Sequence, residues 1–208
     1  MNRLGTCLAS TLLVAGTGIL AAPSAVAYDP VGAKNYANSW AVSRNSYYYP
    51  SFSADCANFV SQSVHAGGYS FVGGDSETSL YQWWIRKTIW GFDYATTWSV
   101  APRLRLFFMY DIPGGISSGT APGTSTNYWT PDAVVTGDVL FYDWGQGEGI
   151  SHTSIQVGWG DDPGSSYNGN YIDQHVTDRY HAFWSLRPYN KYYASTTVYF
   201  MHIAANNY

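Results

Sequence analysis

Apolar residues recur with a helical period through the first half of the chain. Within residues 30–43, apolar side chains return at steps of three and four, which predicts a helix beginning near a proline. Residues 57–66 show the same spacing and end at a Gly-Gly pair, which favours helix termination there. Residues 77–90 and 99–110 are predicted as two further helices.

In the second half of the chain, the spacing of apolar residues changes to one typical of strands. Residues 138–144, 152–159, 171–176 and 196–203 are rich in β-branched and aromatic residues, and several alternate between apolar and polar positions. A Gly/Ser/Thr-rich segment at residues 113–127 is predicted as a loop between the two halves. Helices first and an antiparallel sheet afterwards predict an α+β fold.

The beginning of the chain has the pattern of an export signal. An apolar run at residues 8–22 is followed by Ala25 and Ala27 at the spacing that signal peptidase requires, which predicts a secretory signal peptide at residues 1–27. The run is shorter than the roughly 20 apolar residues of a membrane span, so stable membrane insertion is not expected. We expect residues 28–208 to form one domain, in a protein secreted from the cell or associated with the cell wall.

Composition and charge narrow the possible partners. Charged residues make up 12% of the chain, aromatic residues 18%, and the net charge is −4. Because the chain has no basic stripe, a nucleic-acid partner is not expected. No HExxH motif and no paired Cys and His at ligand spacing occur, so neither a metal nor another cofactor is expected. The aromatic residues suit either a packed core or a cleft for sugars or peptides.

Cleavage after the signal would remove Cys7 and leave Cys56 as a lone cysteine in an exported protein. An exported protein uses cysteine mainly in disulfide pairs, so a single thiol is a small buried apolar residue, an intermolecular link or a reactive group. Cys56 opens a predicted helix, where unpaired backbone amides favour an anion, and we therefore expect a lowered thiol pKa. Ser53 or Asp55 is expected to cap this helix.

His152 is the histidine best placed to act as a base. His65 follows Cys56 by nine residues on the same predicted helix, about 13 Å along the axis, which is too far for contact. His152 follows a Gly-rich turn and begins a strand, where its ring could take a proton from a thiol.

A base of this kind needs a third polar group to hold its ring. The next predicted strand carries Asp173 and His175 on one face, and we prefer His175 as this group, with Asp173 second. Gln174 would point to the other face unless the strand contains a bulge.

These motifs and their order resemble the putative amidase domain family, related to the papain-like and NlpC/P60 cysteine peptidases. The resemblance runs from about residue 36 to residue 184, and its motifs are DCANFVSQ, AGG, GDVLFYDW, SHTSIQVG and DQHVTD. It implies a papain-like, NlpC/P60-like fold in which the helix bearing the nucleophile packs on a small antiparallel sheet. The aromatic and Gly-rich segment at residues 81–129 has no counterpart in the family pattern.

The resemblance also implies roles for individual residues. Cys56 would be the nucleophile, His152 the base and His175 the third polar residue, with the acyl group carried on Cys56 as a thioester. The oxyanion would be held by the Cys56 backbone amide and by a donor from residues 45–52, with Tyr48 and Tyr49 as the two candidates.

The expected function is therefore that of a secreted, monomeric cysteine hydrolase that cuts amide bonds in peptides, with peptidoglycan peptides as the substrate. An acyltransferase that passes the acyl group to an amine, as a transglutaminase does, would use the same Cys-His chemistry. A non-catalytic module that binds glycan or protein is the alternative from a different class, and the aromatic composition is compatible with it.

Overall fold

The computed structural model describes residues 27–110, 114–130 and 134–204. Helices precede most of the strands within these ranges, so the predicted α+β class is confirmed. The predicted signal peptide lies outside the described residues except for Ala27. No helix in the described part of the chain combines the length and apolar character needed to cross a membrane.

The helices occupy the first half of the described chain. They are α1 (Pro30–Trp40), α2 (Cys56–Ala66), the short α3 (Thr96–Ser99) and α4 (Ala101–Tyr110). The predictions for residues 30–43, 57–66 and 99–110 are confirmed to within a few residues at each end. The Asp29 side chain caps α1 by accepting a hydrogen bond from the backbone N–H of Val31, and Pro30 occupies the first turn, where its missing N–H costs nothing.

The residues that the structure describes form eight strands in two sheets. Their bounds are β1 (Ile85–Thr88), β2 (Gly91–Tyr94), β3 (Gly115–Pro122), β4 (Val139–Asp143), β5 (Ile150–Asp161), β6 (Asn168–Gln174), β7 (Arg179–Phe183) and β8 (Thr197–Ile203). The first two strands pair as an antiparallel hairpin, and the others form an antiparallel sheet in the order β3-β8-β4-β5-β6-β7. The four strands predicted from residue 138 onward are confirmed as β4, β5, β6 and β8.

The helix predicted at residues 77–90 is wrong, because this segment enters the β1–β2 hairpin. Aromatic and β-branched residues favour a pleated backbone here, and the turn reaches Gly91 with φ 138°, a conformation that few residues other than glycine adopt. The loop predicted at residues 113–127 is also wrong over Gly115–Pro122, which form the edge strand β3 beside β8. A mostly exposed edge strand does not need the apolar alternation that identifies a strand in sequence. Strand β7 was not predicted.

Two apolar clusters lie on opposite faces of the larger sheet. Phe141 and Ile155 face α1, α2 and α4, whereas Leu140, Tyr142 and Phe200 pack with a second cluster that includes Trp184. Helix α2 runs through the first cluster, and its residues from Cys56 to Val64 are all buried. Strand β5, which carries His152, and strand β6, which ends just before His175, both contact this largely buried helix.

Candidate active site

Cys56 is the first residue of α2 and is only 6% exposed. The backbone amides of Cys56, Ala57 and Thr153, the last on β5, lie around its sulfur. These amides lower the pKa of the thiol, but burial has the larger effect and raises it above its usual value. The expectation of a lowered Cys56 pKa is therefore wrong, because loss of solvation outweighs the amides of the helix start.

His152 is held among aromatic rings near the beginning of β5. It pairs across the ladder with Tyr142, whose ring centroid lies 5.5 Å from the imidazole, and the Trp144 ring stacks on the imidazole at 5.6 Å. Burial lowers the pKa of His152 to about 4, opposed by a hydrogen bond to Gln174. The imidazole is therefore neutral near neutral pH.

Gln174 fixes which ring nitrogen of His152 carries the proton. Its Nε2 donates to the carbonyl oxygen of Thr177 at 3.0 Å, and a carbonyl can only accept, so the amide orientation is determined. Its Oε1 must then accept from His152 Nε2–H, at 2.9 Å. His152 Nδ1 is left unprotonated and can act as a base.

The structure corrects the expected partner of His152, since Gln174 and not His175 makes this contact. Gln156 pairs with Ile172, so Ile172 and Gln174 lie on the face of the sheet that carries His152. The register shifts between Gln156 and Gly158, and a one-residue shift exchanges the two faces of a strand. This shift has no distinct signature in the sequence, so the sequence does not reveal that the exception made for a bulge applies to Gln174.

His175 instead connects strand β6 to the helices. Its Nδ1 lies 2.6 Å from Asp55 Oδ2 and its Nε2 lies 2.8 Å from the carbonyl oxygen of Trp40, while its ring stacks on Phe59 at 4.0 Å. Both partners are acceptors, so both ring nitrogens donate and the buried ring is an imidazolium.

Asp55 is the centre of this buried network and does not cap α2 through its side chain. One carboxylate oxygen accepts from the backbone N–H of Phe52 and from Asn58 Nδ2. The other accepts from His175 and from Arg44 Nε, the latter at 2.8 Å. The Asp55 carboxylate is therefore paired with Arg44 and His175 and does not lie free beside the thiol. The sequence suggests Asp55 only as a helix cap, and it carries no recognisable signal for Arg44.

Asp173, the second choice for the group orienting His152, also lies elsewhere. Its Oδ1 accepts from the backbone N–H of His181, and its Oδ2 is buried without a hydrogen-bond partner. Burial raises the pKa of Asp173 to about 7. His65 donates to the Tyr69 carbonyl and stacks on Phe71, away from the thiol.

No hydrogen bond joins the Cys56 thiol to the His152 imidazole. The thiol lies beside the backbone amide of Thr153, the residue that follows His152. Catalytic hydrogen bonds are often long in unliganded enzymes and shorten when substrate binds. The backbone N–H groups of Tyr48 and Tyr49 both donate to the Asn45 carbonyl, so only their hydroxyl groups are left as oxyanion donors from these two residues.

A cavity of about 440 Å³ opens beside the imidazole. His152, Gln174 and Trp144 line one side of it, and residues of the β6–β7 turn and of the segment 186–192 line the rest. Over residues 27–110, 114–130 and 134–204, no group of three or more His, Cys, Asp or Glu side chains is placed to hold a metal ion.

Comparison with known proteins gives a family match over most of the chain. The family model described as a putative amidase domain matches residues 27–201. The chain is also 29% identical over 177 residues to the uncharacterized protein YhbB of Bacillus subtilis (strain 168), an alignment that covers 85% of this chain and 50% of that protein. The chain thus spans about half the length of this curated relative, and no solved structure matches it. With the family pattern matched from Ala27 to Met201, the chain belongs to the putative amidase domain family.

Proposed function

We propose that the protein is a cysteine-dependent amide hydrolase in which Cys56 is the nucleophile, His152 the base and Gln174 the residue that orients the base. The observation that supports this most strongly is the chain of hydrogen bonds from Thr177 through Gln174 to His152. It protonates His152 on Nε2 and leaves Nδ1 free, and the backbone amide of the next residue, Thr153, lies beside the thiol that begins a buried helix. The proposed arrangement is that of a papain-like, NlpC/P60-like enzyme.

The proposed reaction proceeds through a thioester. His152 Nδ1 takes the thiol proton while the Cys56 sulfur attacks the amide carbonyl, and the backbone N–H of Cys56 stabilises the oxyanion. The carbon–nitrogen bond then breaks, and the proton on Nδ1 passes to the departing amine. Water attacks the thioester as His152 takes its proton, and release of the carboxylic acid returns that proton to the thiol.

Both groups begin this cycle uncharged, because burial raises the pKa of Cys56 and lowers that of His152. Proton transfer and attack are therefore coupled, in contrast to attack by a thiolate formed in advance. The small exposure of Cys56 means that the substrate must displace neighbouring groups to reach the sulfur.

Export and a cell-wall substrate are part of the same proposal. The predicted signal peptide at residues 1–27 would deliver residues 28–208 outside the cell, where peptidoglycan peptides are the abundant amide substrates. The test uses the mature chain with purified bacterial cell walls and measures new amino groups over time. We expect release by the wild type and no release by Cys56→Ala or His152→Ala, with His202→Gln as a control at a histidine bonded to Asp138 on another part of the sheet.

A second measurement separates an unsuitable substrate from an incorrect mechanism. If the cell walls release no amines, rapid labelling of Cys56 by iodoacetamide that slows in His152→Ala would still support the hydrolase. A thiol that labels no faster than an ordinary cysteine would contradict it. Incorporation of an added amine into the product, in place of water, would identify an acyltransferase.

A further inference from the structure

The cavity beside His152 lies where a departing amine would be bound. In the proposed reaction, His152 delivers a proton to the nitrogen of the leaving group, so that group must contact the His152 side of the site. His152 and Gln174 both line the cavity, and its volume of about 440 Å³ is in the range of small-ligand sites. It can therefore hold an amino acid or a short peptide on the leaving side of the bond.

Two cations line this cavity, and no acidic residue does. Arg179 and Lys191 are both lining residues, and neither forms an ion pair with any residue that the structure describes. The Arg179 guanidinium lies over the Tyr189 ring at 3.7 Å, and the Lys191 ammonium lies over the Tyr192 ring at 4.7 Å. Aromatic faces orient these cations without neutralising them, and although Arg179 also borders a neighbouring cavity lined by Asp162 and Asp178, it forms an ion pair with neither.

The strand register places Arg179 next to the base. Arg179 pairs directly with Gln174 across the β6–β7 ladder, and Gln174 is the residue that contacts His152. The guanidinium is therefore carried by the same rigid pair of strands that orients the imidazole. An anionic group bound by Arg179 would lie a short distance beyond the departing nitrogen.

Strained backbone surrounds the same cavity. Val176, Thr177 and Leu186 all line it, and all have positive φ, of 63°, 61° and 56°. This backbone conformation is unfavourable for residues other than glycine, most of all for β-branched residues. Such strain is concentrated at functional sites in proteins. The strained turn also brings the Thr177 carbonyl to the Gln174 amide.

We propose that this cavity binds the leaving portion of the substrate through a carboxylate, which Arg179 holds with the help of Lys191. The inference rests on the proposed hydrolase function and specifies its substrate: an amide whose departing amine carries a nearby carboxylate. That carboxylate is either the free C-terminus of a peptide or an acidic side chain, and both present the same chemistry to a guanidinium.

The test measures binding of leaving-group mimics to the Cys56→Ala protein by calorimetry, so that no turnover is required. The probes are alanyl-alanine, alanyl-alanine amide and alanyl-glutamate amide. We expect at least one carboxylate probe to bind roughly ten- to a hundredfold more tightly than alanyl-alanine amide, as is usual for a charge-assisted hydrogen bond. Tight binding of alanyl-alanine would identify a C-terminal carboxylate, and tight binding of alanyl-glutamate amide an acidic side chain.

Variants attribute this preference to the cavity. Arg179→Gln should remove most of it and Lys191→Gln a smaller part, whereas Arg103→Gln, at an exposed arginine on α4, should preserve it. Equal binding of all three probes, absence of binding, or a preference that survives Arg179→Gln would overturn the inference.

Failure of the carboxylate site and failure of the proposed hydrolase function would give different results. Carboxylate binding that depends on Arg179, in a protein whose Cys56 labels slowly, would preserve the carboxylate site and reject the hydrolase. Amine release from cell walls that depends on Cys56, without carboxylate preference in the probes, would preserve the hydrolase and reject the carboxylate site.

Discussion

At the scale of single residues, Gln174 has two ends with different partners. Its Nε2 must face the Thr177 carbonyl, so its Oε1 faces the imidazole and excludes the other tautomer of His152. Replacement by alanine removes both contacts and lets the ring rotate or exchange its proton position. The candidate site therefore depends on an uncharged side chain that has no acid–base chemistry of its own.

We expect Gln174→Ala to lower kcat/KM by about 10- to 100-fold, because part of the contribution of a positioned base is lost. The same variant should slow iodoacetamide labelling of Cys56, since the base no longer presents Nδ1 consistently. Asn168→Ala is the matched control, because Asn168 is a partly exposed amide at the other end of β6 that bonds to Asp161. Unchanged kinetics in Gln174→Ala would exclude its orienting role.

The pH dependence of activity tests whether the Cys56–His152 pair begins uncharged. The base must be neutral, so kcat/KM should rise as the pH increases through about 4, the pKa to which burial lowers His152. Activity should then stay level and fall only above the raised pKa of the Cys56 thiol, where the proton needed by the leaving group is lost. The measurements are the pH profile of kcat/KM and the ultraviolet absorbance of the thiolate, with Cys56→Ala as the baseline. Thiolate absorbance in the resting enzyme near neutral pH would show that an ion pair forms in advance.

Sequence reasoning predicted that Cys56 begins a helix and that His152 begins a strand, and the structure brings them together through the Thr153 amide. It did not predict Gln174, since the face of a residue on β6 depends on pairing with β5 and on a register shift near Gly158. The thiol pKa was also predicted in the wrong direction. A local pattern identifies the amides of a helix start, whereas burial is a property of the folded chain.

At the scale of elements, a buried ionic network joins the start of α2 to the end of β6. Asp55 precedes α2, His175 follows β6, and Arg44 lies on the segment that follows α1. Arg44 also binds Asp178 through both terminal nitrogens at 2.8 Å, and this bond lowers the pKa of the Asp178 carboxyl. Two carboxylates and two cations thus hold together the elements that carry Cys56 and Gln174.

We expect Asp55→Asn to destabilise the protein by roughly 3–5 kcal/mol, the usual effect of leaving buried charge without its partner. In either orientation, the N–H groups of the new amide would face groups that now donate hydrogen bonds to Asp55. Rotation of the amide therefore cannot avoid the loss of stability. Asp178→Asn is the control, because Asp178 binds the same arginine in a partly exposed pair, where a loss of about 1 kcal/mol or less is expected. Urea unfolding of the three proteins measures the difference, and equal losses would argue against a central role for Asp55.

Helices and strands could be predicted from the sequence where their buried residues recur in a regular pattern. Strands β4, β5, β6 and β8 have the composition of buried strands, and α1, α2 and α4 follow the helical period. The β1–β2 hairpin and the edge strand β3 could not be predicted from the sequence. Their residues are largely exposed, and their pairing partners are set by the tertiary fold.

At the scale of the whole molecule, stability depends on several buried groups whose pKa values move in opposite directions. Burial lowers the pKa of His152 and of His181 to about 4, so the unfolded chain binds these protons more readily and each histidine makes the fold more stable as the pH rises from about 4 to 6.5. Burial raises the pKa of Asp173 to about 7, so the folded protein keeps this proton when the unfolded chain has lost it. The contribution of Asp173 is therefore fully present below its unfolded pKa and is lost as the pH rises through about 7.

The Asp173→Asn variant isolates this contribution from those of the histidines. Its amide oxygen can still accept from the His181 backbone N–H, and its side chain cannot ionise. Between the unfolded pKa of aspartate and about 7, the wild type should lose roughly 1.4 kcal/mol of stability per pH unit relative to the variant. Urea unfolding at a series of pH values gives this difference, and the histidine contributions cancel because both proteins contain them. A difference that does not change with pH would mean that Asp173 is already ionised in the fold, with the Oδ2 atom bearing a buried charge that the described residues do not compensate.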